Sequence, residues 1–103
     1  MQFLVTGKDG SDAEALDRRM AARPGHLAHS EEMHGKGKLL VGAAMLDENK
    51  KMIGSIIILN VDSRDEVDQY LGNEPYVSGN VWQEIHVQEI SVGAHYMSEL
   101  VKK

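Results

Sequence analysis

The chain has 103 residues, eleven basic and sixteen acidic, for a formal net charge of −5, and it contains no cysteine. A single domain of this length has no room for a separate cofactor module, and the acidic balance argues against a dominant electrostatic pull toward nucleic acid or anionic lipid. The absence of thiols excludes disulfides, thiolate metal sites and a cysteine nucleophile. So small a domain buries only a modest core of its own, and association with a second copy is expected.

The first residues, Met1 to Gly7, lack the basic n-region of a signal peptide, and no apolar run is long enough to span a bilayer. A soluble cytoplasmic protein is the expectation. Gln2 to Gly7 reads as a first strand, followed by the loop Gly7-Lys8-Asp9-Gly10. Ser11 or Asp12 then stands where a helix cap is needed, and Ala13, Leu16, Met20 and Ala21 form an apolar stripe opposed by Glu14, Asp17, Arg18 and Arg19. Pro24 interrupts that pattern. Proline lacks the amide proton and disfavours helical geometry in the residue before it, so Arg23 is expected to mark a kink or a fresh helical segment, with His26 in its first turn. Leu27 to Met33 continues as helix, and Gly35-Lys36-Gly37 carries the basic residue and glycines of a carboxyl terminus.

Lys38 to Leu46 and Ile53 to Val61 read as strands joined by the polar turn Asp47 to Lys51. Within the second, Ile56-Ile57-Ile58-Leu59 is apolar on both faces, whereas the two helices available both lie on one face of a sheet. A second copy packed face to face is the economical cover for the other. Ser63 with Glu66 makes a capping box for a helix whose apolar side is Val67, Tyr70 and Leu71, ended by Gly72 and Asn73. Val81 to Ile90 alternates as a last strand, and Ser91 to Lys103 is a tail with a short helix through Tyr96, Met97, Leu100 and Val101. The order βαββαβ is that of the ferredoxin-like α+β fold, expected as one domain over 1–103 with a core of 1–90 and a tail of 91–103. Fold alone licenses no chemistry.

Two segments draw chemical attention. Arg23-Pro24-Gly25-His26-Leu27 places a histidine beside a helix irregularity, and Asn73-Glu74-Pro75-Tyr76-Val77 places a carboxylate before the second proline of the chain. An imidazole titrates near neutral pH and a neighbouring carboxylate fixes its tautomer, so His26 and Glu74 are read as an acid/base pair. His26 and His29 share a helical face, but two ligands do not make a metal site, and no metal is expected.

Four segments carry a resemblance to a known family. These are the first strand with Asp9 and Asp12, the Arg-Pro-x-His-Leu segment at 23–27, Gly37-Lys38-Leu39-Leu40-Val41-Gly42, and Pro75-Tyr76-Val77 followed by Gly79 and Val81. In their order and spacing the chain resembles the YCII-related family over nearly its whole length to about Ile90. The resemblance implies a dimeric α+β barrel with a histidine/aspartate active site, the aspartate standing where this chain has Glu74, one methylene longer. One characterised kind of member is a dehydrochlorinase removing HCl from a chlorinated hydroxyhydroquinone, and that kind is what the resemblance favours here, with no cofactor. On that reading His26 is the base, Glu74 orients it, Asp9 binds a substrate hydroxyl or supports His26, and Arg23 attracts a phenolate. Pro75, Tyr76 and Trp82 are expected to wall in an aromatic ring, with Ser55 and the backbone near Gly42 offering hydrogen bonds. The alternatives are a non-catalytic dimeric binding or accessory module, in which these residues are helix-end, turn and core contacts, and a muconolactone-isomerase-like proton transfer.

Overall fold

A computed structural model describes residues 1–101, so the last two residues of the expected tail lie outside the described residues. Strand β1 (Gln2–Asp9) leads into helix α1 (Ala15–Gly35), the hairpin β2 (Leu39–Leu46) and β3 (Met52–Asn60), helix α2 (Arg64–Gly72), a one-turn helix α3 (Pro75–Ser78), strand β4 (Trp82–Ile90) and helix α4 (Ala94–Leu100). The sheet order is β2-β3-β1-β4 with every neighbouring pair antiparallel. This is the ferredoxin-like α+β arrangement.

Strand periodicity decides what each face carries. Phe3, Val5, Ile57 and Leu59 point to the helix side and are buried with Val67 and Tyr70 of α2, Tyr76 of α3, and Leu39, Val61, Val81 and Trp82. The alternate positions Leu4, Val41, Ile56 and Ile58 are only half-buried on the opposite face. Ile56 to Leu59 is therefore enclosed on one side only within a single chain.

Several local expectations are corrected. The first helix does not restart at Pro24: α1 runs unbroken for 21 residues with the proline inside it. Pro24 and Met20, whose carbonyl loses its helical partner, are both exposed, so water can satisfy the group that proline leaves unpaired. Neither Ser11 nor Asp12 caps α1 through its side chain. Glu14 occupies the cap without a side-chain hydrogen bond, while Asp12 takes both terminal nitrogens of Arg18 at 2.7 and 2.8 Å, holding the exposed Asp12 carboxyl down at about 2. The largest correction is rotational. Leu16 and Met20, expected in the core, are 38 % and 48 % exposed, whereas Arg19, expected on the solvent side, is 2 % exposed. The inward stripe of α1 is Ala15, Arg19, Ala22 and His26, because a carboxylate from β1 and a hydroxyl from β3 await Arg19 there.

The helix end behaves as expected: Gly37 adopts φ 73°, and its neighbour Lys38 donates to the Met33 carbonyl. The capping box forms only in half. Ser63 makes no side-chain cap bond, while Glu66 reaches back to accept from the Asp62 amide at 2.6 Å. Val81 precedes β4 and is buried in the core. Helix α3 has no counterpart in the strand and helix periodicity. Among the described residues no helix is long and apolar enough to cross a membrane.

Candidate functional site

Between helix α1 and strand β2 lies a groove of about 540 Å³ at the edge of the sheet. One face of α1 supplies Arg19, Arg23, His26, Ser30 and His34 to its wall. The sheet supplies Gly42 and Ala44 of β2 and Ser55 and Ile57 of β3, and Tyr76 closes the inner end. Gly42 keeps this floor low, since a Cβ there would stand 3.3 Å from the Ile57 side chain.

Behind the groove lies a carboxylate sealed from solvent. Glu74, with no exposed surface, is the N-cap of α3, and Pro75 at the first helical position fixes its backbone in the extended conformation. Its Oε1 meets His26 Nδ1 at 2.5 Å and accepts from the Tyr76 amide at 3.1 Å; its Oε2 meets His29 Nδ1 at 2.9 Å. Burial by itself pushes the Glu74 carboxyl up, but the hydrogen bonds from His26, His29 and the Tyr76 amide outweigh it and hold the group below its ordinary value. An ionised carboxylate only accepts hydrogen bonds, so each imidazole presents Nδ1–H to it. The neutral His26 ring therefore keeps its lone pair on Nε2, on the side away from Glu74.

The His26 ring is fixed by stacking as well. It lies on Tyr76 with ring centroids 3.9 Å apart and planes 11° off parallel, with Trp82 edge-on at 6.0 Å. The close approach of α3 to α1 needs a bare backbone at Gly25, where a Cβ would come 3.2 Å from Pro75. Burial raises the Tyr76 hydroxyl above its usual range, with Arg19 and Arg23 opposing.

A second buried group adjoins the first. The Arg19 guanidinium straddles both Asp9 oxygens at 3.0 and 3.1 Å, donates to Ser55 Oγ at 2.9 Å and lies 4.7 Å from the Tyr76 ring centre. Trp82 Nε1 also donates to Ser55 Oγ, at 3.2 Å. A register shift between β1 and β4 at Lys8 and Asp9 accompanies this corner. Gly7 makes room for the Trp82 ring, which a side chain there would overlap. Burial lifts the Asp9 carboxyl, and Arg19 only partly counters it.

The structure thus gathers His26, Arg23, Gly42, Ser55 and Tyr76 around one cavity. Glu74 stands behind His26 rather than in the wall. Three expectations change. Asp9 neither faces the groove nor touches His26; it is the counter-ion of Arg19. Pro75 packs on Gly25, and Trp82 lies behind His26 and Tyr76, so neither walls the groove. Sequence reasoning does not place Arg19 or His29 in the site: it puts Arg19 on the solvent side and weighs His29, on the same helical face as His26, only as a metal ligand. Both sit at helical spacing from His26, seven before and three after, and a stripe phased on that histidine instead of on Leu16 and Met20 would have found them.

Residues 1–91 match the YCII-related domain. The chain belongs to the YCII-related family. Protein YciI of Escherichia coli O6:H1 is 28 % identical over 94 residues, 85 % of this chain and 94 % of that protein. The Emericella nidulans protein called Derivative of benzaldehyde biosynthesis cluster protein C is 30 % identical over 73 residues, covering 64 % of this chain and 74 % of that protein. Among solved structures, 5-chloro-2-hydroxyhydroquinone dehydrochlorinase (TftG) from Burkholderia phenoliruptrix AC1100, in complex with 2,5-dihydroxybenzoquinone, superposes with a TM-score of 0.77 at 30 % identity. That match covers 92 % of this chain and 98 % of TftG.

Proposed function

We propose that this YCII-related chain is a cofactor-independent dehydrochlorinase that removes HCl from a chlorinated hydroxyhydroquinone, with His26 as general base. The observation that carries the reading is the buried Glu74 fixing His26 Nδ1 beside a groove large enough for a single aromatic ring. The likeness to TftG, whose bound molecule is a dihydroxybenzoquinone, supports the substrate class.

The chemistry needs a base and a site that tolerates developing negative charge. In a keto tautomer of the substrate, the chlorine-bearing carbon also carries hydrogen. His26 Nε2 takes a hydroxyl proton; the O–H electron pair becomes a new C=O bond, a ring double bond shifts, and chloride leaves with the C–Cl pair. One proton and one chloride are lost and a hydroxybenzoquinone remains, with no external oxidant. Glu74 stabilises the imidazolium that forms. Arg23, which makes no salt bridge among the described residues, faces the substrate oxyanion from the wall, while Tyr76 and Ile57 contact the ring. Asp9 and Trp82 act from behind, by holding Arg19 and Ser55 in place.

A homodimer through the uncovered sheet face completes this reading. Leu4, Val41, Ile56 and Ile58 form an apolar row on that side which is only half-buried among the described residues.

Chloride release from anaerobic 5-chloro-2-hydroxyhydroquinone is the test. The purified protein should release chloride well above the buffer rate, and His26→Ala should lower kcat by about 100- to 10,000-fold, the usual worth of a general base. Release no faster than buffer, with 2,5-dihydroxybenzoquinone still bound, would replace the enzyme by the binding-module reading.

A further inference from the structure

The Glu74 carboxylate has two oxygens, and the reaction proposed above uses one. The other is held by His29, which does not line the groove. His29 instead faces a separate cavity of about 110 Å³ and stacks on Tyr70, with ring centroids 5.1 Å apart and planes 17° off parallel. The Tyr70 hydroxyl is buried close to Glu74 without a well-formed hydrogen bond, and burial followed by the Glu74 charge drives it far above its ordinary value. It therefore stays protonated and carries no charge of its own.

We propose that His29 is a positioning residue of the site: its hydrogen bond to Glu74 Oε2 keeps the carboxylate ionised and in plane, and thereby keeps His26 in the tautomer whose Nε2 is free. This inference rests on the dyad reading of His26. The terminal torsion of a glutamate is soft, so bonds to Oε1 alone leave Oε2 free to swing about it. His26 and His29 stand three residues apart on one rigid helix, and their two bonds hold both oxygens at once. Tyr76 adds a third from α3.

Removing the His29 donor has a specific chemical consequence. A buried carboxylate that loses a hydrogen bond protonates more readily. Protonated Glu74 becomes a donor, and His26 Nδ1, already 2.5 Å from Oε1, is the acceptor in place. The His26 proton then moves to Nε2, the nitrogen that must be bare to act as base. The groups facing His29 are Glu74 and Tyr70, then Lys36, Lys38 and Glu66 across the small cavity, and Glu32 on its own helix. Lys36 and Lys38 are paired with Glu32 and Glu66 respectively.

The experiment compares His29→Phe, which keeps a ring to stack on Tyr70 but cannot donate, with His29→Asn, whose amide nitrogen sits near the former Nδ1. Imidazole nitrogen NMR reads the His26 tautomer directly, with or without turnover. The wild type should show Nδ1–H at both rings. His29→Phe should show Nε2–H at His26, a loss of about ten- to a hundredfold in kcat, the worth of one hydrogen bond to a charged group, and a KM unchanged within about twofold. The acid limb of its kcat–pH profile should move upward, and His29→Asn should restore the Nδ1–H tautomer. Should the phenylalanine variant not fold, His29→Met takes its place. Unchanged His26 tautomer and kcat in the donor-less variant would overturn the proposal. Absence of chloride release in the wild type would instead remove the dehydrochlorinase reading, leaving the tautomer measurement to decide the role of His29.

Discussion

At the scale of single residues, burial raises two carboxyls alike, yet their hydrogen-bond partners leave them on opposite sides of their ordinary values. Glu74 is held below its ordinary value of 4.5 by its hydrogen-bond donors, so its stabilising contribution is complete above about pH 4.5 and is lost as pH falls through the lower folded-state value. Urea denaturation of wild type and Glu74→Gln across that range should show the wild-type advantage shrinking on the acid side. Asp9 is raised by burial, so its ionised form is the costly one and depends on Arg19. Removing one partner of a buried ion pair leaves an uncompensated charge at about 3–5 kcal/mol. Arg19→Met should therefore lower stability by roughly that amount at pH 7, and the deficit should narrow as acid protonates Asp9, a comparison that unfolding curves at two pH values make directly. A deficit independent of pH would mean that Arg19 matters for packing against Tyr76 rather than for charge.

Among the elements, α1 carries most of the site and also its largest departure from a simple helix pattern. Proline in a helix interior costs up to about 3 kcal/mol, less what it returns by stiffening the unfolded chain, about 0.4–1 kcal/mol. Pro24→Ala should thus raise stability by up to roughly 2–2.6 kcal/mol in thermal or urea unfolding. The same variant tests whether the proline aims His26: a loss of kcat alongside the gain in stability would show that local geometry two residues before the imidazole serves the site. A helix read from its hydrophobic residues alone is phased on Leu16 and Met20, and that phase puts Arg19 outside. The observed phase buries small and polar residues instead, because α1 packs on α3 through Gly25 and on the strands through Arg19. Helix α3 is invisible to periodicity since four residues are barely one turn, yet the Glu-Pro pair at its start is a readable N-terminal signal.

For the whole molecule, the uncovered sheet face is the feature that a single chain leaves open. Sedimentation at micromolar concentration should find the proposed dimer, and Ile58→Lys should shift it toward monomer while His26 and Glu74, on the other face, keep their geometry. A monomeric wild type would leave the half-buried row of Leu4, Val41, Ile56 and Ile58 without the cover proposed for it. The sequence by itself determined the order of strands and long helices and the ferredoxin-like class, because periodicity and glycine and proline signals are local properties of the chain; it marked His26 and Glu74 as candidates without their distance. Only the tertiary structure decided that Arg19 is buried, that Asp9 serves Arg19 rather than His26, and that His29 shares the Glu74 carboxylate. Burying a charge or an imidazole is unfavourable until a partner from another element arrives, and which partner arrives is settled by how α1 rotates against strands and a helix turn distant in sequence.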